Sequence, residues 1–134
     1  MKLALQVVLA VLGLLPLAFG TLGLWAGVAL YMPADAATPQ LDSQFRFMSA
    51  LDIGLAAIAW WFAAHIERHA GVFRLVCLAV FVGGVGRVAA WLATGSPGPA
   101  FAAVTVIELL VPALIPWQAH VQRHSPKQGH RRDS

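Results

Sequence analysis

Charge is scarce in this sequence: 11% of its 134 residues are Asp, Glu, Lys or Arg, against ~25% in an average soluble domain. That is too little to coat a globule in water, which excludes an ordinary soluble enzyme and a charge-rich disordered regulator. Cysteine is scarcer still. Cys77 is the single one, so there is no disulfide framework, no C-x-x-C redox motif and no thiolate zinc set. A lone thiol in an apolar run reads as a small packing residue. Acidic residues number six against nine Lys and Arg, a net charge of +3. The bases do not form the stripe interleaved with aromatics that nucleic-acid binding requires, so no nucleic-acid partner is expected.

Apolar residues are plentiful, at 59% of the chain, and they come in long runs. A helix crossing the ~30 Å hydrocarbon layer needs ~20 mostly apolar residues. Four stretches qualify: residues 3–31, 45–64, 71–94 and 100–119. The expected fold is therefore all-α, a four-helix transmembrane bundle formed by residues 1–119 and followed by a basic cytoplasmic tail, 120–134, expected to be disordered. Residues 95–99, Gly-Ser-Pro-Gly-Pro, read as a compact turn that no helix can continue through. The first stretch begins like a signal peptide, with Lys2 before an apolar run, but it extends well past the ~7–15 residues of such a segment. It is read as a retained span.

The bases assign the two sides by the positive-inside rule. With the N-terminus inside, Lys2, Arg68, Arg74, Arg123, Lys127, Arg131 and Arg132 fall on the inner side and Arg46 on the outer. Both termini are then cytoplasmic, and the protein is expected in the cell's inner (cytoplasmic) membrane as a multi-pass protein. Trp25 and Trp91 fall near the outer interface, and Trp60, Trp61 and Trp117 near the inner one, as aromatic belts do.

Three ionisable residues remain inside the spans: Asp52, Arg87 and Glu108. At ~1.5 Å per residue each lies ~10–12 Å below the outer end of its span. Charges at such depth are costly and pair or face a cavity, so the shared depth predicts a common cluster, with Arg46, Ser49 and Thr105 nearby. One arginine facing two carboxylates leaves a surplus negative charge. Arg46 is one source of compensation, although Asp42 one helical turn before it competes; a bound proton or cation is another. Two readings of the cluster stay open: a staple fixing helix register, or a ligand or proton site opening outward.

Other features are weighed against simpler accounts. His65 and His69 have a spacing that holds a metal on one helix face, but they fall in an inner loop and lack the H-E-x-x-H pattern, so no metal is assigned. Pro112 removes the helix bond to the Glu108 carbonyl and is expected to bend span four beside the cluster. Span one carries Gly20, Gly23 and Gly27, small residues that let helices approach closely.

The strings Leu41-Asp42-Ser43-Gln44-Phe45-Arg46-Phe47, Ile66-Glu67-Arg68-His69 and Phe81-Val82-Gly83-Gly84-Val85-Gly86-Arg87, together with Glu108 and Pro112, resemble the bacterial membrane family called domain of unknown function 4345. The likeness covers about residues 3–119. It implies a small four-span protein and implies no activity. More loosely the layout is similar to DoxX-like four-span bundles, an analogy of fold alone. Three functions compete. The favoured one is a non-enzymatic membrane protein binding a small or lipidic ligand in an outward-facing polar pocket, or an accessory subunit. The others are an enzyme acting on a lipid-soluble substrate, with Glu108 or Asp52 as acid or base beside Arg87, and a proton-coupled transporter. No cofactor motif is present; membrane lipids are the expected partners, with a second copy of the chain as a further one.

Overall fold

A computed structural model describes residues 1–33 and 35–124; the expected tail beyond residue 124 lies outside them. Among the described residues the regular structure is helical throughout: α1 (Lys2–Ala26), a 3₁₀ turn (Gly27–Leu30), α2 (Pro39–Ala64), α3 (Ala70–Thr94), α4 (Pro99–Leu110), a second 3₁₀ turn (Val111–Ala113) and α5 (Leu114–His124). Four helical stretches there, counting α4 to α5 as one, are long and apolar enough to cross a membrane. Most of their surface points outward, with Leu22, Leu75, Val82 and Leu110 all more than half exposed. Such a surface suits a multi-pass membrane protein, because lipid tails solvate it.

The helix ends follow from local chemistry. α2 begins six residues before the expected span, because Thr38 caps it: its side chain accepts the Leu41 N–H at 3.2 Å. Pro39 occupies the first turn and Asp42 adds an acid there, both favourable at a helix start. α3 and α4 are separated where Gly95 and Gly98 adopt φ of +97° and +89°, a region open to glycine. Span four does not simply bend at Pro112. It breaks into a 3₁₀ turn of three residues because proline has no N–H for the Glu108 carbonyl, then resumes as α5 to His124. Helix thus reaches five residues beyond the expected end of that span.

The chain forms two compact units: residues 2–65, and residue 1 with 66 onward. In the first, α1 and α2 form a hairpin with Leu5, Leu9, Ser49, Ala56 and Phe62 buried. Its seam is glycine. A Cβ on Gly13 would lie 2.7 Å from Trp60 Nε1, and one on Gly20 would lie 2.6 Å from the Ser49 carbonyl oxygen; one on Gly23 would strike Ser49 Oγ. With no side chain between them, the helices exchange polar contacts: Trp60 Nε1 donates to the Ala10 carbonyl at 3.0 Å and Gln6 Nε2 to the Ala63 carbonyl at 2.8 Å.

In the second unit α3 buries Phe73, Cys77 and Gly84, and the paired stretch buries Thr105, Gln118 and Val121. Gln118 Nε2 donates to the Ile66 carbonyl at 3.0 Å, and Gln122 Nε2 to the Glu67 carbonyl at 3.1 Å. α5 thereby holds the segment that leads into α3.

Candidate functional site

Arg87 and Glu108 come together in the second unit because they stand at comparable distances from the turn that joins α3 to α4, seven residues before the end of α3 and nine after the start of α4. Gly84, one turn before Arg87, makes the approach possible. A Cβ there would lie 3.0 Å from Glu108 Cβ and 3.3 Å from Leu109 Cδ2, so glycine lets α4 settle against the α3 backbone. Across this seam Arg87 Nε donates to Glu108 Oε1 at 3.2 Å and lies 2.9 Å from Oε2. The arginine side chain is 42% exposed and the glutamate 18%.

The pairing uses one nitrogen of the guanidinium. Nη1 and Nη2 make no hydrogen bond among the described residues, although their four N–H groups form the fork that best fits an oxyanion. Arg87 Cζ stands 6.0 Å from the centroid of the Phe101 ring, at the outer limit of a cation–π contact. Phe101 is seven residues nearer the turn than Glu108. The guanidinium therefore climbs from Glu108 toward the helix ends.

The other expected site residues divide by unit. Asp52 stands on α2 in the first unit, partly buried. Arg46 is committed elsewhere: its Nε donates to Asp42 Oδ2 at 2.8 Å, and its Nη1 to the carbonyls of Leu24 at 2.6 Å and Trp25 at 3.1 Å. Asp42 Oδ1 accepts the Val28 N–H at 2.9 Å. The acid one turn before Arg46 is its partner, and together they cap the end of α1. Ser49 and Thr105 are buried, and each hydroxyl donates to the carbonyl four residues back, Phe45 at 2.8 Å and Phe101 at 2.9 Å.

The sequence marks Gly83, Gly84 and Gly86, before Arg87, as residues that let helices approach; Gly84 alone of the three does so against Glu108 and Leu109. Sequence reasoning overlooked Gln118 as a buried clamp. Its Oε1, like Trp117 Nε1, is buried without a hydrogen-bond partner; an uncharged amide inside an apolar stretch was the available signal. His65 and His69 do not share a helix face. A ring nitrogen of His65 lies 2.9 Å from the Trp61 carbonyl at the end of α2, whereas His69 precedes α3 with φ of +59°. No group of three His, Cys, Asp or Glu placed to hold a metal occurs among the described residues.

Over residues 4–119 the chain matches the family described as Domain of unknown function (DUF4345). It belongs to that family. No curated protein and no solved structure matches it.

Proposed function

We propose that this chain is a non-enzymatic multi-pass protein of the bacterial inner membrane, with both termini in the cytoplasm, that binds a small or lipidic ligand at the Arg87–Glu108 pair. One observation carries the assignment: Arg87 meets Glu108 through Nε, and its terminal amino groups make no hydrogen bond among the described residues. An arginine serving helix register alone gains most from a two-pronged pair with the carboxylate. Here the carboxylate neutralises and orients the guanidinium while its fork stays available. The orientation is supported by seven bases on the inner side against one on the outer.

Mass spectrometry of the protein extracted in a mild detergent tests this. A molecule retained at about one per chain, and lost in Arg87→Gln, is the expected result. A wild-type protein that retains nothing, by this route and from nanodiscs, removes the assignment and leaves a register staple.

A further inference from the structure

The apolar setting of Arg87 narrows what its fork can meet. α3 has 25 residues, ~37 Å at 1.5 Å per residue, and Arg87 stands seven residues from its end, ~10 Å down. In hydrocarbon a donor without a protein partner costs several kcal/mol, so the Nη groups require an acceptor that the surroundings can bring to that depth. Val82 and Leu92, which α3 exposes at 67% and 84%, are apolar and supply none. The guanidinium leans toward the turn, between Glu108 and the Phe101 ring, which is the direction of the headgroup layer. One turn on the midplane side of Arg87, a Cβ added to Gly83 would meet nothing within 4 Å. That is bare helix surface on the midplane side of Arg87, where a lipid's chain would run.

We propose, resting on the ligand-binding assignment above, that the ligand is a phospholipid of the bilayer, its phosphodiester oxygens held by Nη1 and Nη2 of Arg87 and an acyl chain lying over Gly83. The fork accepts two phosphate oxygens side by side. Glu108 holds the opposite edge, so the guanidinium plane is fixed before the lipid arrives and less ordering is lost on binding.

The test is lipid binding to the full-length protein in detergent by native mass spectrometry, with dioleoyl phosphatidylglycerol, dioleoylglycerol and inorganic phosphate as probes. The phosphatidylglycerol should bind at least tenfold more tightly than dioleoylglycerol, and millimolar inorganic phosphate should not displace it. Gly83→Leu fills open space and keeps the fold, which its thermal midpoint verifies; it should weaken phosphatidylglycerol at least tenfold. Arg87→Lys keeps a cation opposite Glu108 but loses the fork, and should weaken it similarly. Equal binding of dioleoylglycerol, displacement by phosphate, or an unaffected Gly83→Leu each overturns the proposal. A wild-type protein that retains another molecule but not phosphatidylglycerol overturns the phospholipid and spares the ligand site. One that retains nothing overturns both.

Discussion

Glu108 sits with its Cβ against the bare backbone of Gly84, and from there its carboxylate meets Arg87 at 2.9 Å. The glycine sets the depth of α4 against α3, and that depth brings one guanidinium nitrogen, rather than the whole fork, to the carboxylate.

The first prediction concerns the two sides of this pair. Removing Arg87 strands a carboxylate that is only 18% exposed, whereas neutralising Glu108 leaves an arginine that is 42% exposed and can extend toward the interface. Arg87→Leu should therefore lower the thermal midpoint in detergent more than Glu108→Gln does. Exposed pairs contribute ~0–1 kcal/mol and breaking buried ones costs ~3–5; this pair lies between, so Arg87→Leu should cost about 1–3 kcal/mol. Equal falls in the two variants would overturn the asymmetry, and no fall in either would show that the pair is not stabilising.

A second prediction separates glycines of identical chemistry. Alanine at Gly20 would press on the Ser49 backbone oxygen, while at Gly54 it would meet nothing within 4 Å. Overpacking against backbone costs ~1–3 kcal/mol, and relief of a mid-helix glycine gains up to ~1. Gly20→Ala should lower the thermal midpoint and Gly54→Ala should hold or raise it.

The cap at the end of α1 supplies a third. Asp42→Ala removes the acceptor of the Val28 N–H and the partner of Arg46 Nε. Hydrogen bonds to charged groups contribute ~1.5–3 kcal/mol, so amide exchange at Val28 should accelerate by roughly ten- to a hundredfold. Exchange in α3 should stay as it was. Uniform acceleration through the chain would mean global destabilisation instead of a local cap.

Orientation is tested by fusion. A reporter active only in the cytoplasm should be active after Ser134 and silent within residues 34–38. The reverse pattern would overturn the inward placement of both termini.

Much of this architecture can be read from the sequence because membrane helices are defined by length and apolarity. The breaks at residues 95–98 and at Pro112 are equally local, each resting on glycine dihedrals or on a missing N–H. The shared depth that suggests a cluster of Asp52, Arg87 and Glu108 rests on comparable distances from the helix ends, and two of the three, Arg87 and Glu108, flank one short turn. What stayed hidden depends on contacts between distant helices. The Asp42–Arg46 spacing is visible along α2, but its targets, the Leu24 and Trp25 carbonyls, meet it only once the first hairpin closes. Gly84 and Gly83 are adjacent and identical in type; one is packed and the other open purely because of which way the helix is turned.

The glycine seam of the first hairpin also sets which changes in chain length the protein can absorb. Gly13 and Gly20, seven residues apart in α1, both face α2, and Gly27 meets it from the 3₁₀ turn that follows, with φ of +66°. A single residue inserted between Gly13 and Gly20 would turn everything after it by about 100°, sending Gly20 and Gly27 off the seam and placing side chains against Ser49 and Asp42. The same insertion in the link before Thr38 would leave the seam in register. Tolerance to length change in this hairpin therefore belongs to its link and ends at its glycines.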